Sequence, residues 1–359
     1  MKFQTAIFAL ALSVLANKET FVSAGATEPS TEADSESGEG GLRKGNHDSR
    51  SRRRLQTEPC LLMLKKTLME DRSEIEEVDC YDPSTEQFVH ISGSSQLLKE
   101  FHDGVITSGT STLMQKGAYF DDDEGSLIFP DLANVQYGDD PEARRKLAVT
   151  TGTKEMLAVR VIASDASTTS SESAISDAWF GTSGDAVNFK SQYEACSYNK
   201  LQIDPANTND VSNGVTTVTI SNTVSGTDNG VIRNAVTAEL GNLASQFDHV
   251  MLCLPPGTSG GWIAYAYVNS WLSVYNNQWC DYVSGQMHEI GHNLNLAHSG
   301  ETATYDDQSG MMGYSYSSDD GPEMCFNAPK NWQLGWYTDR QETVSEWVEW
   351  RPYRYCRLR

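Results

Sequence analysis

Residues 286–299 read Gln286-Met287-His288-Glu289-Ile290-Gly291-His292-Asn293-Leu294-Asn295-Leu296-Ala297-His298-Ser299. His288 and His292 lie four apart, so on a helix both imidazoles project from one face, one turn apart. That spacing lets two ring nitrogens meet one Zn²⁺ at about 2.0–2.1 Å. Glu289, next along, is angled to the side of the metal, where it can take a proton from water rather than ligate. His298 lies six residues past His292. On a continuing helix it would point about 240° away, since each residue turns about 100°. The helix must therefore end between them and the chain must turn back. Asn295 is where that turn is most easily made, because Asn is the commonest substitute for Gly in the left-handed region. At average composition, His-Glu-x-x-His arises by chance in about 1% of chains this long, and requiring the third histidine lowers that about fifty-fold. Ordinary surface or core histidines are the weaker reading.

The rest of the chain narrows the setting. Its 359 residues suffice for two domains, or one with appendages, and a hydrophobic fraction of 38% supports a packed core. Acidic residues number 49 against 27 basic ones, a net charge of −22. That excludes a nucleic-acid-binding surface, whose footprint is basic, and disfavours docking on anionic membranes. Seven cysteines without a Cys-x-x-Cys pair argue against a zinc ribbon or a thioredoxin-like site.

The amino terminus reads as an export signal over residues 1–24. Lys2 is followed by an apolar run from Ala6 to Ala16 broken only by Ser13, with small-residue cleavage patterns ending at Ala16 and Ala24. The run is too short to cross a bilayer, which takes about 20 residues. A secreted protein, extracellular or in the cell wall, with no membrane insertion after signal removal, is expected.

Residues 25–54 form a low-complexity linker, acidic from Glu28 to Glu39 and basic from Arg43 to Arg54. Arg50-Ser51-Arg52-Arg53-Arg54 resembles a site for subtilisin-like processing proteases. A second cluster, Arg144-Arg145-Lys146, follows the loop-like Tyr137-Gly138-Asp139-Asp140-Pro141. Residues 55–146 therefore read as a pro-region and 147–359 as the catalytic domain. Both are acidic, with net charges of −11 and −12. Latency is thus expected to be steric or metal-directed rather than an attraction of opposite charges.

In the second region, Met156–Ile162, Val215–Ile220 and Val250–Leu254 read as strands, Phe189–Ile203 and Ile232–Leu243 as helices. Ile263–Val274 reads as an exposed strand near a cleft. Alternating segments of this kind suggest an α/β (α+β) sheet domain.

Residues 288–298 resemble the metzincin signature His-Glu-x-x-His-x-x-Gly-x-x-His, with Asn295 where that group usually has Gly. Ser309-Gly310-Met311-Met312-Gly313-Tyr314 resembles its Met-turn, with Met312 as the methionine beneath the metal and Tyr314 in the Met-x-Tyr position. Gly261-Trp262 through Val268, and Cys325-Phe326-Asn327-Ala328-Pro329-Lys330-Asn331-Trp332-Gln333-Leu334-Gly335-Trp336, are similar to the gametolysin family. These are secreted algal metallopeptidases that digest cell-wall and extracellular-matrix glycoproteins. The resemblance covers about residues 155–340. It implies a metzincin-like fold with a mixed twisted sheet, an active-site helix and a Met-turn. It further implies one catalytic Zn²⁺ held by His288, His292 and His298, Glu289 as general base and acid, and Tyr314 as a transition-state donor. The implied partners are a protein or glycoprotein substrate and a processing protease. A catalytically inactive, matrix- or cell-wall-binding relative of the same fold is the alternative. Since such proteins usually continue beyond Arg359, a truncated chain is also expected.

Cys60 or Cys80 could supply a thiolate as fourth zinc ligand, or the two could form a disulfide. Cys196, Cys253, Cys280, Cys325 and Cys356 are an odd set for an oxidising compartment. Asp121-Asp122-Asp123-Glu124 and Asp306-Asp307 are candidate Ca²⁺ loops but lack the spacing of a defined one, and solvated acidic turns are the simpler reading.

Overall fold

The amino-terminal half is built of short strands. They are β1 (Arg53–Leu55), β2 (Cys60–Met69), β3 (Glu74–Asp82), β4 (Gln87–Ile91), β5 (Ser111–Met114), β6 (Tyr119–Asp121), β7 (Ser126–Ile128) and β8 (Gln136–Asp139), with helix α1 (Ser95–His102) after β4. The computed structural model describes residues 53–55, 59–132, 135–139, 150–208, 210–300, 304–305, 307–313, 318 and 320–340. β2 and β3 form a long antiparallel hairpin paired from Leu61↔Tyr81 to Leu68↔Glu74. Leu62, Val78, Ile91, Leu97, Leu113 and Phe129 fill a small core of their own beneath it.

The carboxy-terminal half alternates strands and helices. It contains β9 (Gly152–Ile162), α2 (Glu172–Phe180), α3 (Phe189–Cys196), β10 (Leu201–Pro205), β11 (Val215–Thr219), α4 (Asn229–Leu240) and α5 (Leu243–Gln246). Then follow β12 (His249–Leu254), β13 (Trp262–Tyr267), β14 (Leu272–Asn276), α6 (Val283–Asn293) and α7 (Ala328–Gln333). The strand order β10-β9-β12-β14-β13 is parallel except for β13, which runs antiparallel to β14. β11 also pairs with β9, further along that strand. The parallel strands read as near-continuous apolar runs because helices cover both faces. Met156, Ala158, Met251 and Cys253 face α2, α3 and α6 through Ile175, Trp179, Phe189, Met287 and Ile290. Leu157, Val159, Val250 and Leu252, one residue out of phase, face Ile232 and Val236 of α4 and Leu243 of α5.

A mixed twisted sheet is therefore what the fold contains, but it does not stop at the carboxy-terminal half. β2 pairs with β13, so the sheet continues β13-β2-β3-β4-β7-β6-β1. The described residues beyond Arg50 form one compact unit. Arg144-Arg145-Lys146 and most of the basic run at 50–54 lie outside the described residues, apart from the backbone of Arg53 and Arg54 in β1. Among the described residues no helix is long and apolar enough to cross a membrane.

Two local expectations are corrected. Phe189–Ile203 is not one helix: α3 ends at Cys196, Tyr198 and Asn199 take positive φ of 55° and 58°, and Leu201–Pro205 is a strand with alternate residues buried. Ile263–Val274 is not one exposed strand. It is β13 and β14 joined by a turn in which Asn269 has φ 58°, and every residue of β13 is buried because β2 covers its edge. The strand readings at Met156–Ile162, Val215–Ile220 and Val250–Leu254 fall on β9, β11 and β12, and the helix read at Ile232–Leu243 falls on α4 up to Leu240, where Gly241 and Asn242 with positive φ end it.

His249 opens β12 inside the fold, and burial lowers its pKa from 6.5 to about 4. The unfolded chain therefore binds a proton that the folded chain refuses between those values, so stability is present above pH 6.5 and lost as pH falls. The loss between pH 7.5 and 5 is roughly 2 kcal/mol. Urea midpoints for wild type and His249→Gln at both pH values check this: the variant should show a shallower acid dependence. An unchanged slope would remove His249 as its source.

Candidate metal centre

Helix α6 carries the motif and is buried along its whole length. Its polar residues are consequently tied down. Gln286 Nε2 donates to Cys280 O at 2.7 Å, and Tyr193 Oη donates to Met287 O at 2.9 Å. Asn293 Nδ2 donates to Tyr267 O and Leu272 O, fastening the helix to both ends of the β13–β14 turn.

The helix ends where its sequence says it should. Asn295 has φ 69°, Asn295 N donates to His292 O, and Leu296 N donates to Gly291 O, both at 2.9 Å. This pair of bonds is a Schellman motif with Asn in the position usually held by Gly. The reversal brings His298 back over α6. Its Nε2 lies 3.0 Å from that of His288 and 2.9 Å from that of His292. These three residues are the one group among the described residues whose donor atoms could hold a metal.

The outer ring nitrogens settle what the inner ones can do. His288 Nδ1 lies 2.7 Å from Met311 O, and His292 Nδ1 lies 2.8 Å from Leu296 O. A carbonyl only accepts, so both Nδ1 atoms carry the hydrogen and both Nε2 atoms present lone pairs. Burial opposes protonation throughout, lowering the pKa of His288 to about 4 and those of His292 and His298 well below the ordinary range. Converging lone pairs repel unless a cation lies between them. An all-imidazole donor set therefore fits a metal ion of borderline softness.

Glu289 is 1% exposed, its Oε2 has no hydrogen-bond partner, and burial, assisted by Glu74, raises its pKa well above the usual range. Met311 and Met312 are fully buried in the turn over residues 308–313. A Cβ on Gly291 would meet Met312 Sδ at 2.4 Å, so the missing side chain is what lets the sulfur lie against the helix between the two histidines. Tyr314 lies outside the described residues, as does Asp306.

Three contributors carried no signal in the motif. Glu74 of β3 places Oε2 2.6 Å from His298 Nδ1, though without hydrogen-bond alignment, and its Oε1 accepts from Lys66 Nζ of β2 at 2.9 Å. The Tyr305 ring lies 4.8 Å from that of His298 and 6.2 Å from that of His288, with its hydroxyl buried and unpartnered. Burial, then the charges of Glu74 and Glu289, push that phenol far above its ordinary pKa.

Cys60 and Cys80 are bonded to each other, so neither offers a thiolate to the metal. Cys196–Cys325 and Cys253–Cys280 join the site's surroundings, and Cys356 lies outside the described residues. At the candidate Ca²⁺ loop, Asp121 Oδ1 instead accepts the backbone N–H of Asp123 and Glu124 and closes a turn.

The profile of the family described as gametolysin peptidase M11 matches residues 159–345, just over half of the chain. The match spans β9 to α7 and the whole histidine cluster, and begins beyond the amino-terminal half. No curated protein matches the chain.

Proposed function

The chain belongs to the gametolysin peptidase family M11, and from that premise we propose that it is a secreted zinc endopeptidase acting on extracellular-matrix or cell-wall glycoproteins. It is a peptidase of a metal-dependent family. The observation that carries zinc and the site assignment is the convergence of three neutral imidazoles on one point, with Nδ1–H groups held outward by Met311 O and Leu296 O.

A bound zinc ion would supply Lewis acidity, polarising the scissile carbonyl and lowering the pKa of water toward ~7. The chain's residues supply the rest. His288, His292 and His298 would hold the ion, with the first two oriented by carbonyl acceptors before any ligand arrives. Glu289 takes the proton of the attacking water on its carboxylate and passes it to the leaving amine. Its dry surroundings favour the protonated form, which suits it to hold the proton between the two transfers. Met312, fully buried, packs its sulfur against Gly291 of α6. In this reading Met312 is the methionine of a metzincin Met-turn and Tyr314 the transition-state donor implied by the motif.

Three disulfides suit an oxidising, extracellular setting. The signal at 1–24 and a processing protease acting at the basic clusters complete the proposed maturation. Labelled casein incubated with the processed chain at nanomolar concentration should be cleaved, cleavage should stop with a chelator, and Zn²⁺ should restore it. A processed chain that binds zinc and cleaves nothing would leave the non-catalytic, matrix-binding reading.

A further inference from the structure

β13 is the outermost strand of the catalytic half of the sheet, with β14 on one side. A strand edge in that position presents backbone N–H and C=O groups to whatever extended chain lies alongside. Here β2 lies alongside, antiparallel, with Tyr265↔Thr67, Ala266↔Lys66 and Tyr267↔Lys65 in register. Val268 N donates to Leu64 O, and Glu70 N donates to Gly261 O, each at 2.9 Å, closing both ends of the edge.

The same hairpin enters the metal centre. The turn after β2 brings Glu74 onto His298, and Lys66 holds that carboxylate from the neighbouring strand while also pairing with Glu76. The side chains of His298 and Glu74 are only 7% and 8% exposed, so this contact is buried and not on the surface.

A second set of contacts, remote from the metal, holds the hairpin and the strand that follows it. Asp79 Oδ2 of β3 lies 3.6 Å from Arg233 of α4 and accepts from Tyr267 Oη at 2.5 Å, with Asp79 2% and Arg233 3% exposed. Arg233 also donates to Phe88 O, and Glu86 accepts the backbone N–H of Leu243 and Ala244 at the start of α5. Withdrawal would leave the Arg233 guanidinium buried without its carboxylate.

We infer that the β13 edge and the cleft beside it form a docking surface whose resident occupant is the chain's own β2–β3 hairpin, and that residues 59–139 remain bound there as a non-covalent inhibitory piece after the backbone is cut between 140 and 149. The inference rests on the peptidase reading for what is inhibited, but not for what is bound. While the chain is continuous the hairpin acts at the high effective concentration of a tethered ligand. Once it is cut, occupancy depends on total concentration. Glu74 and Lys66 are the two side chains that a substrate must displace from the site.

The test uses the full chain with a specific protease site substituted within residues 140–149, zinc-loaded. After cutting, the two pieces should co-elute at micromolar concentration, and the amides of Ala264 and Ala266, which face β2, should stay protected from hydrogen exchange. Affinity for a hydroxamate-capped tripeptide should be low in the uncut chain and rise at least tenfold in Glu74→Gln/Lys66→Ala, with zinc content unchanged. Specific activity of the cut chain should rise as it is diluted to nanomolar. Separation of the pieces on cutting, or equal hydroxamate affinity in uncut wild type and variant, would overturn the inference. Should the double variant fail to fold, dilution of the cut wild type decides it, a concentration-independent activity counting against. Failure to bind zinc would overturn the peptidase reading alone, since co-elution and exchange require no metal.

Discussion

Glu289→Gln, in the processed chain at nanomolar concentration, is expected to lower peptide hydrolysis by about 10²–10⁴-fold, the range contributed by a positioned general acid–base group. Metal content should not change, because no carboxylate belongs to the three-nitrogen cluster. The amide is isosteric and its site is already dry, so the fold should tolerate it at least as well as the carboxylate, whose charge burial disfavours. Stability equal to or above wild type, with activity lost, is therefore the signature. Metal analysis, a melting curve and kcat/KM measured on one preparation check it. Full activity in Glu289→Gln would remove Glu289 from the chemistry, and loss of zinc would make it a structural support of the site instead.

The largest effect on stability is expected at Asp79. Its carboxyl is held far below the usual carboxylate range by Lys65, His90, Arg233 and Tyr267 against the opposing cost of burial, which is the largest influence on it. Asp79→Asn leaves the Arg233 guanidinium in the interior without a counter-charge, for which about 3–5 kcal/mol is typical. Replacing both partners with apolar residues, Asp79→Leu with Arg233→Met, should recover most of that loss, because the expense lies in the orphaned charge rather than in the missing pair. Because the folded pKa of Asp79 is depressed, its contribution is full above the usual carboxylate range and is lost progressively as pH falls from there through the folded value. Urea unfolding of the two variants at pH 7 distinguishes the cases. A single variant within 1 kcal/mol of wild type would mean that Arg233 is compensated elsewhere.

How much of this was legible depends on how far apart the cooperating residues are. The histidine pair, the end of α6 and the reversal at Asn295 are set by spacings of three to six residues, so helical geometry and the left-handed tolerance of Asn sufficed to read them. The buried strands β9 and β12 were legible because each carries a local apolar run, Met156–Val159 in the one and Val250–Leu254 in the other. Phe189–Ile203 misled because its apolar residues suit a helix and a strand equally well. Only the positive φ at Tyr198 and Asn199, which let Leu201 and Ile203 join β9, separates the two. Ile263–Val274 misled because its small and aromatic residues suggested an open cleft wall, while the strand that buries it lies in a different region of the sequence.

Glu74 lies more than two hundred residues before His298, and neither it nor Lys66 belongs to any motif. Tyr305 is an unremarked aromatic in the polar stretch before the methionine turn. By itself, the amino-acid sequence determined that three imidazoles converge, since residue identity, helical spacing and a left-handed Asn are local properties. It suggested two regions on either side of a basic cluster, but it could not say whether they pack together. The tertiary structure decided that residues 59–139 join the sheet of the carboxy-terminal half and reach its histidines. Edge pairing and buried charge depend on which surfaces meet in space, and backbone hydrogen bonds between strands leave no mark on the residues that make them.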